Sequence, residues 1–332
     1  MTILTKYESI NQVEWSTLCQ ISSTATWFQT PAAYTFFADQ PELFYPFIFA
    51  VESDGLKGVC VGYITLEKNP IKQFFTRRAI IIGGPLLAED ATNEEVASLM
   101  SAVRNHLSKQ AIYIETRNFN DYSKWHDAFL QAGFAHKKHL NFHINTHAIE
   151  FVNENIKRDR RRNINLSYRS GATIIENPTI KQIHEYYPIL ERLYTTKVKT
   201  PLFPLSFFEQ LYRNQDARFL LVEYQNQIIG GTVCMVLPNH CVYEWFVAGQ
   251  DGAYKSVFPS SLATYAGLKY AAEHNCPRFD MMGAGTPDEA YGVRDFKARF
   301  GGQEVEHGRF TYICHPLLYK IGELGVKIMK HL

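Results

Sequence analysis

Phe219-Leu-Leu-Val-Glu223, the polar Gln225-Asn-Gln227 and Ile229-Gly-Gly231-Thr-Val-Cys-Met-Val236 read as two apolar strands joined by a tight turn, a β-hairpin. The first half of the chain carries the same signal in Phe47-Ile-Phe-Ala-Val-Glu52, Ser53-Asp-Gly55 and Val59-Cys-Val-Gly62-Tyr-Ile-Thr-Leu66. A helix and a short apolar strand follow each hairpin. In the first half Thr92 and Glu95 form a capping box, Val96, Leu99, Met100, Val103 and Leu107 recur at helical spacing, and Ile112-Tyr-Ile-Glu115 is the strand. In the second half Ser260 or Ser261 opens a helix through Leu262, Tyr265 and Ala266, which Asn275 and Pro277 end before Phe279-Asp-Met-Met282. The halves also close alike, with His139-Leu-Asn-Phe-His-Ile144 after Gly133-Phe134 and Gly308-Arg-Phe-Thr-Tyr-Ile313 after Phe300-Gly-Gly302. Matched order and spacing predict a duplicated α+β fold with two tandem domains, 1-147 and 148-315. An amphipathic helix over 316-332 follows, with Leu317, Ile321, Leu324, Ile328 and Leu332 on one face and Lys320, Lys327 and Lys330 elsewhere.

The composition narrows the function classes. At 332 residues the chain has length for about two domains of roughly 150 residues, and 46% hydrophobic content excludes general disorder. A formal charge of +1 provides no global field for polyanions, so any nucleic-acid contact must be local and DNA is not an expected partner. The six cysteines are scattered without CxxC spacing, which predicts neither a metal site nor a disulfide framework and fits a reduced compartment. Met1-Thr-Ile-Leu-Thr-Lys6 lacks the basic and apolar blocks of a secretory signal, and no window is apolar enough to span a membrane, so the expected location is the cytoplasm. The chain contains no H-E-x-x-H, G-x-S-x-G, G-x-G-x-x-G or P-loop motif, which weighs against metal hydrolysis, serine hydrolysis and nucleotide chemistry.

Four stretches remain as candidate sites. Thr286-Pro-Asp-Glu289 has the pattern of a helix start, and helical spacing from there puts Lys297 beside Val293, Phe296 and Phe300 on one face. That lysine either lays its stem on the core and snorkels to water or holds a positioned ammonium. Alternation in the strand after Ile112 points Glu115 and Arg117 the same way, as a surface ion pair or as ligand contacts. Arg158, Arg162 and Arg169, spaced i, i+4 and i+11, form one stripe, either a solvated face or a grip for phosphates. Trp245 and Tyr254 bound a passage from a strand into a glycine-containing loop.

Phe296-Lys297-x-x-Phe300-Gly301, preceded by Gly252-Ala-Tyr254 and Phe279-Asp280, resembles the Fem-type aminoacyltransferases, relatives of the GNAT acetyltransferases. The arginine-rich segment ending in Ser170-Gly171, Trp27-Phe-Gln29-Thr-Pro31 and Gly83-Gly-Pro85 are also similar to theirs, so the likeness spans nearly the whole chain. It implies two GNAT-like domains, each with a mixed twisted sheet flanked by helices. It further implies an aminoacyl group delivered from aminoacyl-tRNA, with no tightly bound cofactor, to an amine of a peptidoglycan or other envelope precursor. The sequence lacks room for the long helical arm of many members. A sister group of acyltransferase-like proteins resembles the chain nearly as well, which keeps acyl-CoA open as the donor. In the superfamily's usual coenzyme A loop, Arg/Gln-x-x-Gly-x-Gly/Ala, the spacing differs from that of Gln250-Asp-Gly252-Ala.

Aminolysis of an ester develops a tetrahedral oxyanion, and Lys297 occupies the family's matching lysine position, suited to stabilise it. The attacking amine must lose a proton, for which Glu115 and Asp280 are the base or positioning candidates. Phe296, Arg117, Tyr254, Trp245 and the Arg158, Arg162, Arg169 stripe are the candidate substrate contacts. The terminal helix either rests on the inner face of a membrane or packs its stripe on the second domain. A binding protein that kept the fold without catalysis is the non-enzymatic alternative.

Overall fold

The computed structural model describes residues 1–331, and side chains through residue 324. The first part of the chain contains β1 (Thr2–Leu4), the hairpin β2 (Phe44–Ser53) and β3 (Gly55–Thr65), β4 (Ala79–Gly83), β5 (Leu86–Leu87), β6 (Tyr113–Asn118) and β7 (Ala135–Lys137). The second contains β8 (Leu140–Asn145), β9 (Thr173–Ile175), the hairpin β10 (Ala217–Tyr224) and β11 (Gln227–Leu237), β12 (Cys241–Gly249), β13 (Arg278–Asp280) and β14 (Gln303–Glu306), and β15 (Arg309–Ile313) comes last. Both expected hairpins form antiparallel pairs. The Thr92–Glu95 capping box is made in both directions at the start of the Asn93–Leu107 helix.

The strands form two mixed sheets, ordered β1-β2-β3-β4-β6-β15-β7, with β5 beside β3, and β14-β8-β13-β12-β11-β10-β9. Each contains a parallel neighbour pair, β4 with β6 and β12 with β13, joined by the helical crossover that parallel strands require. The strand membership corrects the expected domain limits of 1-147, 148-315 and 316-332. The compact units are Met1–His139 with Glu306–Leu332, and Leu140–Val305. The strand read as closing the first half, β8, pairs with β13 in the second sheet, and β15, read as closing the second half, pairs with β6 in the first. Both strands alternate apolar and polar residues, and alternation specifies a buried face without specifying a neighbour.

In the first unit the core gathers Trp15, Trp27, Phe28, Phe37 and Phe44 with the apolar faces of β2 to β4. In the second, Leu220, Val222, Ile229, Leu262, Phe279 and Phe300 pack in one cluster between sheet and helices. Burial of such side chains, at about 1.5–3 kcal/mol each, is the main term holding each unit together. The terminal helix spans Pro316–His331 and belongs to the first unit. Of its expected apolar stripe, Leu317, Ile321 and Leu324 are exposed, whereas Ile328, Leu332 and the flanking Lys327 and Lys330 fall outside the described side chains. Among the described residues no helix is long and apolar enough to cross a membrane.

Candidate active site in the second unit

The parallel pairing of β12 with β13 stops after Cys241, Val242 and Tyr243 meet Arg278, Phe279 and Asp280. Beyond that point β12 continues to Gly249, while the chain leaving β13 turns through Met282 and Gly283, both at positive φ (54° and 111°). A left-handed methionine is a strained choice that persists only where its surroundings enforce it. Here a buried polar network does so. Asp280 Oδ1 accepts from Met282 N at 2.7 Å and from Asn141 Nδ2 at 2.7 Å, and Asn141 Oδ1 accepts from Gly283 N at 2.7 Å. Asp280 Oδ2 lies 3.0 Å from His143 Nε2. Both Asn141 and His143 come from β8, so the strand from the first half of the sequence supplies the clamp on this loop.

The loop carbonyls turn toward Lys297. Its ammonium donates to Met281 O and, at 2.7 Å, to Gly283 O, which leaves one of three N–H donors without an acceptor among the described residues. The lysine is buried, as is Phe300, but Val293 is 41% exposed and Phe296 is half-buried, so the expected common apolar face narrows to the last turn. The helix is also shorter than expected. Thr286 to Glu289 form a turn rather than a helix start, and the helix runs over Gly292–Ala298. Gly301 follows it at φ 80°, where a Cβ would come within 2.1 Å of Asn155 O, so the glycine of the Phe-Lys-x-x-Phe-Gly stretch answers to close backbone approach.

On β12 the first residue beyond the paired stretch is Glu244, which interacts electrostatically with this lysine. The register of β11 against β12 shifts there, with Val233 facing Phe246 and Cys234 facing Glu244, so Trp245 is the extra residue of a β-bulge. Glu244 is buried and neither carboxyl oxygen has a hydrogen-bond partner of good geometry among the described residues. Burial pushes its carboxyl up to about 7, against the opposing pull of the Lys297 ammonium and the nearby hydroxyls of Thr264 and Thr232. Burial in turn lowers the Lys297 amine, with Glu244 and Asp280 holding it up. A buried carboxyl without partners is costly, and one poised near neutrality beside an ammonium is what acid–base chemistry uses.

The expected bases differ from it. Burial disfavours ionisation of Asp280, but His143 and Arg278 outweigh it and hold the carboxyl below its ordinary value, so Asp280 organises the loop. Glu115 lies in the sheet of the first unit, where Arg117 Nε donates to its Oε1 at 3.0 Å and Arg309 Nη1 at 3.1 Å. Burial is again outweighed, by Arg309 and then Arg117, and its carboxyl falls to about 2. A carboxylate so stabilised is a poor base at neutral pH. The pair of Glu115 and Arg117 is therefore part of a half-buried ionic cluster in its own unit.

Around the lysine, Phe296 receives the guanidinium of Arg160, whose Cζ stands 4.2 Å from its ring centroid and 5.0 Å from that of Phe300. Arg160 also donates to Ser261 Oγ. It is the buried arginine of the basic run, whereas Arg158, Arg162 and Arg169 are exposed along the Arg158–Arg169 helix. Trp245 stacks on Phe246 and meets Phe207 edge-on, and Tyr254 packs against Tyr224. Burial pushes the neighbouring Cys241 thiol up to about 12, too high for a thiolate nucleophile. Among the described residues no group of histidines, cysteines and carboxylates is placed to hold a metal ion.

Sequence reading missed Glu244, Arg160, Asn141 and His143. Glu244 had a legible signal, as the one carboxylate within the apolar run Cys241-Val-Tyr-Glu-Trp-Phe-Val-Ala248. Asn141 and His143 had none, because their role depends on which sheet β8 joins.

Residues 209–327 match the model of the FemAB family. The crystal structure of FemX is similar over 97% of this chain and 99% of that one, with 15% identity and a TM-score of 0.71. A tandem GNAT protein from the clavulanic acid biosynthesis pathway is similar over 94% of this chain and 99% of that one, at 10% identity and a TM-score of 0.55. The C-terminal domain of a putative lysylphosphatidylglycerol synthetase from Agrobacterium fabrum is similar over 90% of each chain, at 11% identity and a TM-score of 0.57. No curated protein matches by sequence. At these identities the solved structures speak for the fold alone.

Proposed function

We propose that the chain is a Fem-type acyltransferase and moves an aminoacyl group from aminoacyl-tRNA to an amine of a peptidoglycan or related envelope precursor, a reading supported by the FemAB match over residues 209–327 and the fold shared with FemX. The observation that carries this reading is the Glu244–Lys297 pair at the parting of β12 and β13. In the transfer the acceptor nitrogen attacks the ester carbonyl carbon, a C–N bond forms, and the C–O bond to the tRNA ribose breaks. Glu244, poised near neutrality, takes the proton that the attacking amine must shed and returns it to the departing ribose oxygen. The uncommitted N–H of Lys297 stabilises the oxyanion between these steps, a contribution of about 2.7–4 kcal/mol for one lost donor in comparable sites. The two backbone carbonyls that hold Lys297 fix its direction, and Asp280, Asn141 and His143 position those carbonyls.

The Pro259–Glu273 helix supports an aminoacyl ester over coenzyme A. A pyrophosphate would draw on the amides at its N-terminus. There Pro259 has no amide proton to give, Ser260 N donates to the Asp251 carboxylate at 3.1 Å, and Phe258 N donates to Ser167 Oγ at 2.9 Å. Asp251 thus places a negative charge where a phosphate donor would need to bind. The exposed stripe of Arg158, Arg162 and Arg169 is the proposed grip on tRNA phosphates, and Phe296, Trp245 and Tyr254 are the proposed substrate contacts. Incubating the purified chain with charged tRNA, and separately with acyl-CoA, together with an amine acceptor tests the proposal. Transfer from charged tRNA alone is expected. Transfer from acyl-CoA alone would overturn the donor, and transfer from neither would leave a binding protein of the same fold.

A further inference from the structure

The first unit carries an apolar surface with a basic border. The Pro70–Thr76 helix touches the terminal helix and leaves Ile71, Phe74 and Phe75 exposed, at 72%, 45% and 43%. On the terminal helix Tyr319 faces inward, with its hydroxyl 2.9 Å from Lys137 Nζ and its ring edge-on to Tyr113. At 100° per residue Leu317, Ile321 and Leu324 lie opposite Tyr319, and they are 79%, 55% and 60% exposed. The helix is therefore docked by its tyrosine and turns Leu317, Ile321 and Leu324 outward, the reverse of the arrangement that a soluble helix adopts.

Charge decides what such a surface fits. Lys68, Lys72, Arg78 and Lys320 are exposed on or beside the two helices, and Arg77 lies over the Phe74 ring at 4.7 Å. Against these five cations stand Glu67, already paired with Lys72 at 2.9 Å, and Glu323. Large apolar side chains within a basic border are the signature of a helix lying in the interface of an anionic bilayer, where the apolar groups enter the acyl boundary and the cations stay with the headgroups. We propose that the Pro70–Thr76 helix and the terminal helix together form a docking surface for an anionic phospholipid membrane. Binding of this kind does not depend on which acyl donor the enzyme uses.

Co-sedimentation of the full chain with phosphatidylglycerol vesicles and with phosphatidylcholine vesicles tests the surface. Sedimentation with the first, weakened by salt, and much less with the second is expected. The double variants Phe74→Ser with Phe75→Ser and Leu317→Ser with Ile321→Ser should each lower partitioning at least about tenfold. Replacing Lys68, Arg78 or Lys320 by alanine should cost about fivefold apiece. All these side chains are exposed, so an unchanged melting temperature identifies a folded variant. Failure of the wild-type chain to sediment, or equal sedimentation of the apolar double variants, overturns the proposal. Self-association without vesicle binding, abolished by the same substitutions, also overturns it and makes a second copy the occupant.

Discussion

The two parallel strand pairs, β4 with β6 and β12 with β13, stand at corresponding places in the duplicated layout and treat a carboxylate in opposite ways. In the first unit the pairing extends over five residue pairs, and Glu115 on β6 is bound by Arg117 and Arg309. In the second it stops after three, and Glu244 is buried with no hydrogen-bond partner of good geometry among the described residues, in the field of a lysine whose ammonium is held by loop carbonyls. Glu115 is brought down to about 2 and Glu244 is pushed up to about 7. Burial acts on both; two guanidinium partners outweigh it at Glu115, whereas the Lys297 ammonium and the hydroxyls near Glu244 do not. Where the fold satisfies the charge it gains stability, and where it withholds partners it keeps a group able to exchange protons.

Glu244→Gln should break this contrast most severely. Loss of a general base predicts turnover lower by about 10²–10⁴-fold at neutral pH, with the rise in rate centred near pH 7 abolished. Retention of both turnover and that rise would return the base role to another group. The substitution should also change the pH dependence of stability. A carboxyl raised in the folded state contributes stability that is full below its ordinary 4.5 and is lost as pH rises through about 7. Urea titrations between these pH values should therefore show a decline in the wild type that the glutamine variant lacks.

Lys297→Met should lower kcat by about 10²–10³-fold with little change in substrate affinity. Because methionine keeps much of the stem without a buried charge, melting temperature should hold or rise. A lower melting temperature with normal specific activity would instead make Lys297 a brace for the 281–283 loop.

Glu115→Gln tests the other side. Its depressed pKa means stability that is present above 4.5 and lost as pH falls toward 2. The variant should lose about 3 kcal/mol at neutral pH, a deficit that shrinks as acid protonates the wild-type carboxylate. The folded fraction should keep its specific activity, and a large kcat loss in that fraction would draw Glu115 back into the chemistry. The smallest effect is expected for the triple replacement of Arg158, Arg162 and Arg169 by alanine. Affinity for charged tRNA should fall about tenfold, with a salt dependence shallower by about 2 in log–log slope. Unchanged affinity and slope would mark the three as solvated side chains.

The sequence by itself determined the repeated elements, because hairpins, capping boxes and apolar periodicity are written in contiguous residues. It singled out Lys297 and the Phe296 to Gly301 stretch, since a lysine among aromatic residues at helical spacing is a local anomaly. It also held Glu244 in plain view, as a carboxylate inside an apolar strand, without saying whether a partner would meet it. The exchange of β8 and β15 between the halves, the clamp that Asn141 and His143 place on the loop after Asp280, and the outward turn of the terminal stripe were decided only by the tertiary structure. Periodicity tells which face of an element is apolar, whereas the choice of neighbour, and with it whether a buried charge is satisfied, arises from contacts between residues more than a hundred positions apart.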